Sequence, residues 1–216
     1  MIDIFANFWP LVDRVLRLDM NAVMQYTERP GSAELALLVV LVVGVSEGLG
    51  NSVVLFVNRV RPPRFALTLI VFSVILAVTY GFLTLSIFAV ARLAFGVQDD
   101  YTLVAQIVAF GYAPRVFGLL EFVPMMGRPI AMLLDIWSLL AIFTGVAVGL
   151  DLLPWQALVT VALGGIVFLT LQRTVGRPLL LLGRWMQRRA AGVNLIMDRE
   201  GLRQLVRDGR SRENNR

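Results

Sequence analysis

The stretch Leu103–Gly127, LVAQIVAFGYAPRVFGLLEFVPMMG, decides what kind of protein this chain forms. About 20 apolar residues cross the roughly 30 Å hydrocarbon core of a bilayer. This stretch meets that length, yet it holds Pro114 and Arg115 at its middle and Glu121 near its far end. A proline inside a helix removes one backbone hydrogen bond and crowds the preceding turn, and in lipid the freed groups must find partners on neighbouring helices or in water. An arginine at the bilayer centre costs about 2.5–3.5 kcal/mol on the mildest scale, so it is expected to face other helices or a wet cavity. The stretch therefore reads as a broken spanning segment held inside a bundle.

The composition agrees. The 216 residues are 57% hydrophobic and 16% charged, with a mean hydropathy of +0.74, whereas soluble domains run at about 45–50% apolar and about 25% charged. The expected fold class is all-α, a polytopic membrane bundle of about five transmembrane helices. Cysteine and histidine are both absent, which excludes thiol nucleophiles, zinc sites of the Cys/His kind, imidazole bases and histidine-ligated haem. Every basic residue is arginine, and the net charge of +5 is concentrated at the C-terminus. The first residues lack a basic start and a small-residue cleavage site, so no signal peptide is expected.

Along the chain, residues 1–31 are too polar to span. Phe5, Phe8, Trp9, Val12, Val15 and Leu16 recur at three- and four-residue spacing opposite Asp13, Arg14 and Arg17, which describes an amphipathic helix. It is expected either to lie along the headgroups or to pack peripherally on the bundle, and to begin near Pro10. A second short helix from about Met20 to Tyr26 is expected to take Asp19 as its cap. The spans follow at 34–57, 65–95, 103–124, 130–150 and 155–172. Gly44 and Gly48 in the first have the spacing that admits a close helix neighbour, and Glu47 beside them needs a partner or water. Beyond residue 172 the chain becomes basic. Arg177, Arg184, Arg188 and Arg189 alternate with Leu179–Leu182, Trp185 and Met186, the pattern of an amphipathic helix on anionic headgroups. Five crossings with a cytoplasmic C-terminus put the arginine-rich connections inside and the N-terminal segment outside; a re-entrant first segment would put both ends inside.

Depth suggests pairings. Glu47 and Arg115 each lie about twelve residues into their expected spans, at similar depth, and pairing would neutralise the two costliest residues together. Glu121 and Asp135 are expected near the boundary on the side of Arg128, which could satisfy them. Three readings stay open for these residues: structural ion pairs, a substrate path, or a docking site for a partner's helix. No phosphate-binding loop, catalytic triad or zinc-protease helix is present. Lipid or an acidic partner is a simpler target for the arginine tail than nucleic acid.

The segments VLRLDMNAVMQYTERPGS, AFGYAPRVFGLLEFVPMMG and IAMLLDIWSLLAIFTGVAVGLDL together resemble the Yip domain family, named for Ypt/Rab-interacting proteins, in a bacterial form. The likeness covers roughly Val15 to Gly165 and rests on Tyr112, Ala113, Pro114, Pro124 and Trp137. It implies a five-span bundle, while the family's usual cytoplasmic N-terminus opposes the orientation drawn from the arginines. The expected function is that of a non-catalytic, cofactor-free scaffold, accessory subunit or membrane-organising factor of the plasma membrane. Its expected partners are membrane lipids and other membrane proteins or further copies of itself. A small transporter or channel lined by Glu47 and Arg115 is the alternative.

Overall fold

The computed structural model describes residues 2–50, 62–123 and 126–174. The end of the first expected span, Pro124, and the basic segment with Arg177, Arg184, Arg188 and Arg189 lie outside the described residues. The helices are α1 (Ile2–Leu16), α2 (Met20–Thr27), α3 (Ser32–Gly50), α4 (Pro62–Phe95), α5 (Tyr101–Gly111), a 3-10 helix (Ala113–Phe122), α6 (Gly127–Gly149) and α7 (Pro154–Thr174). Among the described residues, four stretches are long and apolar enough to cross a membrane: Ser32–Gly50, Ser73–Phe95, Tyr101–Phe122 and Gly127–Gly149. Pro154–Thr170 is a shorter apolar helix. The chain is a multi-pass, all-helical membrane protein.

α1 is amphipathic, and its apolar face is turned to protein. Phe8, Leu11, Val12 and Val15 are buried in the core formed with α3, α5 and α6, while Phe5 and Trp9 stay exposed. Of the two expected placements, the peripheral helix packed on the bundle is the one found. Pro10 does not mark the start of α1, which runs through it from Ile2. Ala6 and Pro10 are both exposed, so the carbonyl that the proline deprives of its partner is free to meet water or headgroups. Leu18 turns the chain with a φ of +57°, and Asp19 caps α2 by accepting from the Ala22 N–H at 3.3 Å. Arg14 and Arg17 bond Asp19 and Asp13 at the same corner.

The two helices form a hairpin along α6. The Trp137 indole N–H donates to the Leu16 carbonyl at 3.2 Å, and Met20 and Met24 lie against Gly145 and Gly149. The hairpin's turn thus sits beside the middle of α6, and α2 runs alongside the second half of that helix.

The third span is broken where Pro114 stands. α5 ends at Gly111, and the chain continues as a ten-residue 3-10 helix with the proline in its first turn. Runs of this kind rarely exceed 3–4 residues, and each residue rises about 2.0 Å, not 1.5 Å. The tighter winding makes the second half of the span thinner and longer than an α-helix of equal sequence. α4, at 34 residues, exceeds what a bilayer needs, as its apolar length suggests. α3 packs mainly on the 3-10 helix and α4, α4 on α7, and α5 on α6.

Candidate functional site

The charged centre of the bundle lies where α3, the 3-10 helix and α6 meet. Arg115 Nε donates to Glu47 Oε1 and Arg115 Nη1 donates to Asp135 Oδ1, so one guanidinium ties three elements together. The Glu47 side chain is 7% exposed, Arg115 23% and Asp135 53%, which grades the site from closed on the α3 side to half-open on the α6 side. Charge-assisted bonds of this kind are about twice as strong as neutral ones, and in lipid each charge needs its partner to stay buried.

Ser46, next to Glu47, ties α3 to the 3-10 helix that follows the proline. Its hydroxyl donates to the Val116 carbonyl at 2.6 Å and accepts from the Leu119 N–H at 2.8 Å. These two groups are the acceptor and donor of one i, i+3 rung, so a side chain from α3 bridges a rung of the 3-10 helix. The close approach this needs explains two glycines. A Cβ on Gly118 would lie 3.1 Å from Glu47 Cγ, and a Cβ on Gly50 would collide with the Gly118 carbonyl. Ser46→Ala removes both of these bonds and leaves the rung only its own backbone partner. It is expected to lower stability by about 1–2 kcal/mol, measured by unfolding in mixed micelles, with Ser46→Thr retaining most of it.

The other residues singled out in the sequence separate into roles. Asp135 is held by Arg115 and not by Arg128, which makes no ion pair among the described residues. Seven residues, about 10 Å of helical rise, part Arg128 from Asp135. Glu121 is likewise not satisfied by Arg128: its Oε1 is buried and accepts no hydrogen bond among the described residues. Gly44 faces α4, where a Cβ would lie 2.8 Å from Ser73 Cα. Gly48 is buried, as is Pro114, and Tyr112 stacks edge-on against Tyr80 at 6.3 Å. Trp137 anchors the N-terminal hairpin.

Sequence reasoning missed Ser46, Gly50 and Gly118. The available signal was a hydroxyl in one span at the depth of a proline break in another. No group of three or more acidic side chains among the described residues could hold a metal ion, and Arg115 separates Glu47 from Asp135. No protein-family model, curated protein or solved structure matches the chain.

Proposed function

We propose that this protein is a non-catalytic scaffold or accessory subunit of a bacterial plasma membrane, of the Yip-domain type, that organises other membrane proteins through helix-helix contact. The observation that carries the reading is the commitment of Arg115 to two carboxylates on two different helices. A guanidinium spent in this way locks the bundle and leaves its outer faces, with Met132, Leu133, Ile136 and Leu139 exposed on α6, free for lipid or a partner helix. The arginine-rich segment after residue 174 completes the picture on the cytoplasmic side by holding anionic headgroups.

The test is isolation of the tagged full-length protein in native nanodiscs, followed by mass spectrometry and by mass measurement of the particle. A stoichiometric membrane partner or a defined homo-oligomer is the expected result; a lone monomer overturns the proposal. A second reading, a small transporter, draws on the broken third span, since discontinuous helices build the midplane sites of many transporters, and on the half-open Asp135. Under that reading Glu47→Gln and Arg115→Gln abolish flux in a protein that remains folded.

A further inference from the structure

A cleft of about 560 Å³ opens between α2, the start of α5 and the end of α6, away from the charged centre. Its volume lies within the roughly 300–1,000 Å³ of small-ligand sites. Met24, Leu103 and Val148 give it an apolar part, and Glu28, Asp100 and Gln106 a polar one. Among the described residues, no basic and no aromatic one lines it; the nearby Arg29 is engaged elsewhere, over the Tyr26 ring at 4.4 Å and on Asn7 at 3.1 Å.

Three features give this cleft acceptors that no donor among the described residues occupies. Asp100 occupies the N-cap of α5 but makes no side-chain capping bond, so its carboxylate is not used by the helix it precedes. Glu28 stands at the C-cap of α2, where the helix dipole disfavours a negative charge. Neither takes part in an ion pair among the described residues. Gln106, only 7% exposed, gives its Nε2–H to Ser32 Oγ at 2.9 Å, and its carbonyl oxygen accepts no hydrogen bond among the described residues. A nine-tenths buried side chain thus brings an unused acceptor to a cleft that already carries two unpaired carboxylates.

We infer that this cleft binds a primary ammonium group, carried by a lipid headgroup or by a free amine. An ammonium offers three donors and a positive charge, matching a lining whose charged groups are both carboxylates. Quaternary ammonium groups offer no N–H and are held by aromatic cages, which this cleft lacks. Its place beside the N-cap of α5 and the last turn of α6 is the level of the headgroups, and the apolar part suits the glycerol end of a lipid.

The experiment is isothermal titration of the full-length protein in a neutral detergent. The probes are ethanolamine, short-chain phosphatidylethanolamine and short-chain phosphatidylcholine as the methylated counterpart. Phosphatidylethanolamine should bind at least about tenfold more tightly than phosphatidylcholine; Asp100→Asn should weaken it about tenfold, the loss of one charge-assisted contact, and Glu28→Gln added to it should weaken it further. Binding of free ethanolamine as well identifies the amine as sufficient; binding of the lipid alone identifies a headgroup site. Both carboxylates are exposed, so the melting temperature of the variant should be unchanged or raised. If it falls, Asp100→Asn alone carries the comparison. Equal affinity for the methylated probe, no binding of either amine, or undiminished binding by the variants overturns the inference.

Discussion

Arg115→Gln is expected to be the most damaging polar substitution in the bundle, lowering stability by about 3–5 kcal/mol. The loss comes less from the bonds removed than from the charge left behind, because Glu47, 7% exposed, would remain in an apolar interior without its guanidinium. Removing both members should therefore cost less than the sum of the two single changes. The comparison is reversible unfolding in mixed micelles of Arg115→Gln, Glu47→Gln and the double variant, with an expected coupling of about 1–3 kcal/mol. Strict additivity would mean that the two groups do not sense each other in the folded protein. Asp135→Asn should be the mildest of the set, since a side chain 53% exposed has other partners available when its ion pair is lost, and open ion pairs contribute about 0–1 kcal/mol. That ordering separates a lock from a path: a lock loses stability in proportion to burial, whereas a path loses flux while the fold survives.

Much of this arrangement was legible from the chain, and for a simple reason. Hydropathy marks spans, and counting residues along a span measures depth. Glu47 lies 15 residues past Ser32 and Arg115 lies 14 past Tyr101, so two spans entered from the same side bring them level. The break at Pro114 was equally plain, because the proline removes a hydrogen bond that lipid cannot replace. Counting failed where helix ends were misjudged. α6 begins at Gly127 and not at Ile130, which moves Asp135 almost one turn deeper, away from the boundary and level with the guanidinium on the 3-10 helix. The N-terminal hairpin shows a second limit. Periodicity finds the apolar face of α1 but does not tell whether lipid or protein covers it, since both are apolar. Leu11 and Val15, fully buried, were in the pattern; the Trp137 to Leu16 bond that decides the matter joins residues 121 apart in sequence.

The glycines offer the second large effect, and here the sign changes with position. Gly44 and Gly81 both lie within spanning helices, and sequence alone gives no reason to treat them differently. At Gly44 a methyl group would lie 2.8 Å from Ser73 Cα. That neighbour is backbone, so no rotamer change can relieve the clash, and α3 and α4 must move apart along their contact. At Gly81 nothing stands within 4 Å of the added carbon. Gly44→Ala is thus expected to destabilise by about 2–3 kcal/mol, the cost of overpacking a tight interior. Gly81→Ala is expected to stabilise by about 0.5–1 kcal/mol, because alanine loses less backbone freedom than glycine on entering a helix. The readout is the unfolding midpoint of each single variant in the same micelles used for Arg115. Helix propensity alone predicts a gain at both positions, so a gain at Gly44 would mean that α3 and α4 do not meet there. A loss at Gly81 would mean that its open face is covered in the membrane, and would place a partner helix on that side of α4.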